Sequence, residues 1–321
     1  MRRFRFCVCA AVLLGIPMVA HAQTFPSKPV RLVIPFPAGG AMDSIARILA
    51  QPLGRAFGQN VIVDNRPGGG TVIATELVAR SPADGHTVLL MANSFTINPA
   101  VRSKLPYDAL RDFAGVSRLA TVPVIFSVHP SVPAMTFKEL IALARARPGE
   151  LTYATPGSGT NQHLIGELLK GMARIDINHV PYQGGAPATM AVMGGHTSVL
   201  IINVTESGPH IQAGKLRALA VTSLERSVDF KEVPTVAESG FPGFEAITWF
   251  GAVVPAATPR DAINRLNADI VRALQLPDVR NGLSKLGLSA AGTSAEEFDT
   301  FIRSELRRNE KIARESNLRI D

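Results

Sequence analysis

Two glycine-bearing turns hold the residues best suited to binding a small charged solute. The first runs Pro35-Phe36-Pro37-Ala38-Gly39-Gly40-Ala41-Met42-Asp43, after an apolar run and ahead of an amphipathic one. Its prolines stiffen the approach, and its glycines let the backbone turn or come close to a ligand. A helix starting there presents unpaired N–H groups and the positive end of its dipole, so an anion can be held without a basic side chain. The same residues would serve equally well as a tight strand-to-helix turn, with Asp43 as a plain N-cap or first-turn residue. The second turn, Thr155-Pro156-Gly157-Ser158-Gly159-Thr160-Asn161, offers N–H and O–H donors between a strand and a helix. It fits neither the phosphate loop Gly-x-x-x-x-Gly-Lys-Ser/Thr nor the dinucleotide pattern Gly-x-Gly-x-x-Gly. Together, two such turns in different halves of the chain suggest one small anion held between two lobes.

Other segments carry less. Asn65-Arg66-Pro67-Gly68-Gly69-Gly70 contains an arginine that reads as a surface residue, since arginines are mostly exposed. Tyr182 and Gln183 follow a strand and precede a helix, where they could line a cleft. Trp249 with Phe250 could wall the cleft or fill the core, and core or hinge packing is favoured because large aromatics are buried for their area. Nucleophilic catalysis has no Gly-x-Ser-x-Gly elbow, and Ser158 has no assignable base. His163 falls one turn into the next helix, and His86, His129, His179, His196 and His210 show no metal-ligand spacing. The expectation is a binding protein, not an enzyme, with no metal and no cofactor.

The elements that must position these turns alternate short β-branched runs with amphipathic stretches, the pattern of an α/β fold with largely parallel strands. Strands are expected at Val30–Pro35, Val61–Asp64, Thr87–Met91, Val124–Val128, Leu151–Ala154, Asn178–Val180, Ser198–Ile202, Leu216–Val221 and Ala252–Val254. A helix is expected over Asp43–Phe57, with Ile45, Ile48, Leu49 and Leu53 on one face and Pro52 kinking or splitting it. Another is expected over Gln162–Met172. Thr136…Glu139 and Ser294…Glu297 are capping boxes opening two more. The chain has two places to cross between lobes, Val122–Val128 and Thr248–Val254, which is compatible with a discontinuous first domain.

The chain has 321 residues, 46% hydrophobic and 18% charged, enough to bury a full core. Residues 1–22 combine Arg2, Arg3 and Arg5, an apolar run, and the small-x-small site Ala20-His21-Ala22, the grammar of a secretory signal peptide. Cleavage after Ala22 would remove 22 of the 321 residues, leave 299, and lower the formal charge from +7 to +4. Cys7 and Cys9, the two cysteines, leave with it, which excludes thiol catalysis and disulfides from the mature protein. Export and modest charge argue against nucleic acid. The basic residues Arg303, Arg307, Arg308, Lys311 and Arg314 alternate with Glu305, Glu310 and Glu315, as on a solvated helix face. Asn203-Val204-Thr205 fits a glycosylation sequon, a pattern common by chance.

A run of segments resembles one family in its order along the chain. Phe25-Pro-Ser-Lys-Pro-Val-Arg-Leu-Val-Ile-Pro-Phe-Pro-Ala-Gly-Gly40 and Asp43-Ser-Ile-Ala-Arg47 resemble the opening of the Bug-type substrate-binding proteins of tripartite tricarboxylate transporters. Gly58–Gly68, Pro82–Leu90, Leu105–Asp108, His179–Pro187, Gly214–Ser223 and Pro234–Glu238 extend the similarity over essentially the whole mature chain. The resemblance implies a two-lobed periplasmic binding protein of type II, with two crossover segments and a ligand in the interlobe cleft. Lobe 1 would comprise residues 23–124 and 250–321, and lobe 2 residues 125–249.

The ligand it implies is a small carboxylate, an acidic amino acid or an aromatic acid, held largely by backbone groups and water from the two turns. The expected contacts are Phe36, Pro37, Ala38, Gly39, Gly40, Met42, Asp43, Asn93, Ser94, Thr155, Gly157, Ser158, Gly159, Thr160, Tyr182 and Asn203. The chain departs from the family pattern at Ala41 and Met42, at Asn161, at Ile201-Ile202-Asn203 and at Thr71-Val72. Met42 cannot donate a hydrogen bond, which favours a less polar acid over a tricarboxylate. The expected protein is a soluble periplasmic monomer, not membrane-embedded, delivering its ligand to tripartite transporter subunits. The alternatives are a receptor of the same fold signalling to a sensor kinase and an exported hydrolase using Ser158.

Overall fold

The computed structural model describes residues 25–227, 229–315 and 319–320; the expected signal peptide, residues 1–22, lies outside the described residues. In chain order the elements are β1 (Val30–Ile34), α1 (Ala41–Phe57), β2 (Val61–Asn65), α2 (Val72–Ala79), β3 (Thr87–Ala92), α3 (Ser94–Val101) and β4 (Phe113–Val128). Next come α4 (Phe137–Ala146), β5 (Thr152–Thr155), α5 (Asn161–Ala173), β6 (Asn178–Pro181), α6 (Gly185–Met193), β7 (Val199–Asn203), α7 (Val204–Gln212) and β8 (Arg217–Val221). The chain closes with β9 (Ile247–Pro255), α8 (Arg260–Gln275), α9 (Pro277–Ser284), β10 (Ser289–Ala290) and α10 (Ala295–Glu315).

The strands run in the order β2-β1-β3-β9-β4-β7-β5-β6, with β8 and β10 also on β4. β4 is 16 residues long and pairs with strands on both sides of the sheet's middle. Phe113 to Pro123 pairs antiparallel with β9, and Val124 to Val128 pairs antiparallel with β7. The partner changes within one residue, where Pro123 faces Ile247 and Val124 faces Asn203. Two wings, β2-β1-β3 and β6-β5-β7, are parallel as expected; β9 and β4 run antiparallel to their neighbours, so the sheet is mixed. Only the last five residues of β4 are readable as a strand in sequence. Gly115, Ser117 and Arg118 interrupt the apolar pattern upstream, and the pairing with β9 shifts register at those same places.

Helix α1 runs on through Pro52, so it is not split there. Pro52 removes one backbone donor, but it is buried in the same face as Ile45, Leu49 and Leu53, and burial of each such side chain is worth about 1.5–3 kcal/mol. Together those buried side chains outweigh the roughly 3 kcal/mol that a proline costs inside a helix. Both caps form. Thr136 Oγ1 accepts from Glu139 N–H (3.2 Å), and Ser294 and Glu297 bond reciprocally at 3.2 and 2.9 Å.

Lobe 2 is closed by a core of Phe126, Phe137, Leu140, Tyr153 and Ile165; behind β3 and β9, Phe95, Tyr107, Phe113, Trp249 and Phe298 form another. Trp249 is core, edge-on to Phe298 and Phe301, and its Nε1–H donates to Glu305 (2.9 Å). Glu305 is therefore buried, not part of a solvated face. Thr222 is fully buried between β4 and the residue that precedes β9. Its N–H donates to Val124 O (2.9 Å), its O accepts from Ala246 N–H (3.0 Å), and its hydroxyl lies 2.5 Å from Ala246 O.

Candidate ligand cleft

A cavity of about 50 Å³ lies between the lobes. One wall is Phe36, Pro37, Ala38, Gly40, Ala41, Met42, Ala92, Asn93, Ser94, Thr248 and Phe250. The other is Pro156, Thr160, Asn161, Gln162, Gly184, Gly185, Ala186, Pro187, Asn203 and Glu206. Helices α1, α3, α5, α6 and α7 all begin at this space, because each follows directly on the carboxyl end of β1, β3, β5, β6 or β7. That is the edge at which open α/β sheets take ligands. Five helix N-termini converge on the cavity, and among the described residues lining it there is no lysine or arginine. Each terminus favours negative charge by about 0.3–1 kcal/mol when exposed and up to about 2 kcal/mol when partly buried.

The first turn is braced from behind. Asp43 is buried and does not reach the cavity; its Oδ2 accepts from Gly39 N–H (3.0 Å) and pairs with Arg47 (2.9 Å). Burial pushes the Asp43 carboxyl up, but the bonds from Arg47, Gly39 and Asn65 hold it below its usual value. Asn65 Nδ2 donates to Phe36 O (3.0 Å). Gly39 takes the left-handed φ of +89° that lets Pro37 to Gly40 double back. Phe36, Pro37, Ala38, Gly40 and Met42 face the cavity, whereas Gly39 and Asp43 serve the shape of the turn.

A stack of three rings carries the second turn. His163 lies on His179 with centroids 3.9 Å apart, and Tyr153 stacks on the other side of His179 at 4.9 Å. Thr155 Oγ1 is 2.7 Å from His179 Nε2, His163 Nδ1 accepts from Gly159 N–H (3.4 Å), and Thr160 Oγ1 donates to Gly157 O (2.7 Å). Burial pushes His163 down to about 4 and His179 down to about 3, so both are neutral scaffolding at physiological pH. Thr160 lines the cavity and Thr155 is sealed beneath it. Gly157, Ser158 and Tyr182 line a neighbouring hollow instead, with Gly68 to Thr71 and Arg102. Gly159 lies against Asn98 of α3. Arg66 is exposed and paired with Asp64 (3.0 Å), the surface residue expected.

Asn93 lines the cavity while holding β9, with Nδ2 donating to Ile247 O (3.2 Å) and Oδ1 accepting from Trp249 N–H (2.9 Å); Ser94 lines it beside Asn93. Phe250 and Asn161, weighed in the sequence but not counted among the contacts, also line it, as do Gln162, Thr248, Gly184 to Pro187 and Glu206, which the sequence reading missed. Gln162 Nε2 donates to Asn203 Oδ1 (2.8 Å) and to Thr248 Oγ1 (3.3 Å), and Asn161 Nδ2 donates to Thr248 Oγ1 (3.2 Å). Asn203 Nδ2 donates to Glu206 Oε2 (3.1 Å), and Glu206 also accepts from the N–H of Ala41 at the start of α1. Asn203 is thus committed inside the cleft, an unsuitable place for a sequon to be glycosylated. The only local signal for Gln162 was its seat next to Thr160, and Glu206 had none beyond the first turn of α7.

Comparison with known proteins is consistent over nearly the whole chain. The sequence model of the TctC family, described as tripartite tricarboxylate transporter family receptor, matches residues 45–318. Protein BugT of Bordetella pertussis is 36% identical over 308 residues, 95% of this chain and 94% of that protein. The solved structure of R. palustris Rpa4515 with adipate superimposes with a TM-score of 0.88 at 35% identity, covering 92% of this chain and 99% of that one. MatC (Rpa3494) from Rhodopseudomonas palustris with bound malate gives a TM-score of 0.85 at 28% identity, covering 90% of this chain and 99% of that one.

Proposed function

The chain belongs to the tripartite tricarboxylate transporter receptor family, a family of solute-binding proteins and not of enzymes, and from that premise we propose that it captures a small carboxylate in the interlobe cleft and delivers it to a tripartite transporter in the periplasm. The observation that carries this reading is the convergence of five helix N-termini on a cavity free of basic side chains. A carboxylate held there would take charge-assisted N–H bonds from backbone that needs no rearrangement, and closure would keep water away from them. Adipate in Rpa4515 and malate in MatC support an acid as the ligand class. Met42, Phe36 and Phe250 on one wall support an acid with an apolar body.

In this reading the contacts come from both turns, from Asn93, Ser94 and Asn203, and from Asn161, Gln162 and the start of α6. Lobe 1 takes in residues 23–124 and 250–321 and lobe 2 residues 125–249, a division supported by the change of partner on β4 between Pro123 and Val124. Among the described residues no helix is long and apolar enough to cross a membrane. The test is a thermal-shift screen of ligand-stripped protein against mono-, di- and tricarboxylates, acidic amino acids and aromatic acids. A ligand at 100 times its Kd adds about 2.7 kcal/mol. For a protein of this size that is a rise of roughly 5–10 °C. No rise with any acid overturns the assignment.

A further inference from the structure

Glu206 sits where a ligand carboxylate was expected. It projects from the first turn of α7 in one lobe to the start of α1 in the other, and accepts from the N–H of Ala41. Asn203 Nδ2 holds its Oε2 at 3.1 Å. The cleft is shaped around it: a Cβ on Gly185 would collide with Glu206 Oε1, and one on Gly40 would stand 3.4 Å from the same oxygen. Glu206 is the one carboxylate among the described residues lining the cavity, and no lysine or arginine there offsets it. Burial pushes this carboxyl up to about 7. The starts of α3, α5 and α6 remain open to a ligand, and the facing wall carries the apolar Phe36, Met42 and Phe250.

We propose that Glu206 is the specificity-determining residue of the cleft: it takes the α1 N-terminus in place of one ligand carboxylate, so that the pocket selects small monocarboxylates with an apolar body over dicarboxylates. This rests on the carboxylate-receptor reading above. Above pH 7, where Glu206 is ionised, a dicarboxylate would have to set its second charge against it in a confined space, where like charges repel most strongly. A monocarboxylate leaves Glu206 and its donors, the Ala41 N–H and the side-chain and backbone N–H groups of Asn203, undisturbed. An ammonium at the far end of the ligand would pair with Glu206 but would face the positive ends of five helices.

Three six-carbon probes of matched length separate these cases: hexanoate, adipate and 6-aminohexanoate, titrated calorimetrically at pH 8 into the ligand-stripped protein. The expected result is hexanoate binding at least tenfold tighter than either of the others. Glu206→Gln and Glu206→Ala should raise the adipate-to-hexanoate affinity ratio at least tenfold, while Glu206→Asp, which keeps the charge, should hold it near the parent value. Adipate binding tighter than hexanoate to the parent protein, a ratio unmoved in Glu206→Gln and Glu206→Ala, or 6-aminohexanoate binding tightest would each overturn the proposal and leave the carboxylate receptor standing. Binding of no acid by any of the folded proteins, including every acid of the wider panel, would overturn both.

Discussion

Gly159 of the second turn is pressed against Asn98 of α3, so closely that a Cβ on Gly159 would collide with Asn98 Oδ1. In the proposed division the two residues belong to different lobes, and Gly159 holds a φ of +78°, a conformation side chains rarely adopt. Neither lines the cavity. Their contact bears on whether the lobes can meet, and Asn98 is fixed for it by donating to Gly70 O (2.8 Å) and Thr71 Oγ1 (3.1 Å).

Gly159→Val should therefore act on closure, not on ligand contact. Affinity for the acid found by the screen should fall more than 100-fold. The unliganded protein should lose only about 1–3 kcal/mol, the cost of one strained backbone position. Calorimetry and urea denaturation measure the two effects separately, and unchanged affinity would mean that ligand binding does not depend on this contact.

Much of this arrangement was legible in the residues themselves. The turn from Phe36 to Gly40 and the Gly157-Ser158-Gly159-Thr160 segment announce backbone placed close to something, because only glycine allows it. What stayed hidden was whatever depends on partners distant in sequence. Asp43 looks like a ligand contact and is a brace, since Arg47 and the Gly39 N–H draw it backwards. Glu206 looks like an ordinary first-turn glutamate, and only the tertiary fold brings it to Ala41 of α1 and Gly185 of α6. The upper half of β4 was missed because its pairing with β9 tolerates Ser117 and Arg118 through two irregularities that no local pattern encodes.

Met42 is 2% exposed and faces the cavity from the first turn of α1. Met42→Thr keeps a side chain there but adds a hydroxyl and removes apolar area. Acids with an apolar body should lose about tenfold in affinity, roughly the loss of two buried methylenes, and hydroxylated acids should gain relative to them. A competition series at fixed pH checks this, and an unchanged ranking would remove Met42 from ligand selection.

Thr222→Val tests the junction between the lobes. The substitution keeps the shape and β-branching of the residue but deletes the hydroxyl that accepts from Val124 N–H (3.1 Å) and sits against Ala246 O. Leaving such buried groups short of a partner costs about 1–3 kcal/mol. Denaturant midpoints should fall accordingly. The rate of closure on ligand, followed by stopped-flow Trp249 fluorescence, should change as well, because Thr222 ties together both segments about which the lobes would move.

The stacked histidines and Glu206 should tilt stability against pH in opposite directions. His163 and His179 are lowered by burial from 6.5 to about 4 and about 3, so the unfolded chain binds more protons than the fold below pH 6.5. Their stabilising contribution is present above pH 6.5 and drains as pH falls toward 4, at up to about 1.4 kcal/mol per pH unit for each ring. Glu206 is raised from 4.5 to about 7, so its contribution is full below pH 4.5 and is lost as pH rises through 7. His179→Gln should therefore flatten the acid limb of a stability curve measured between pH 4 and 6.5, whereas Glu206→Gln should flatten the decline between pH 5 and 8. Comparing each variant with the parent protein removes the carboxylates that titrate in common. If His179→Gln left the acid limb as steep as before, the neutral ring stack would not be what holds the second turn in place.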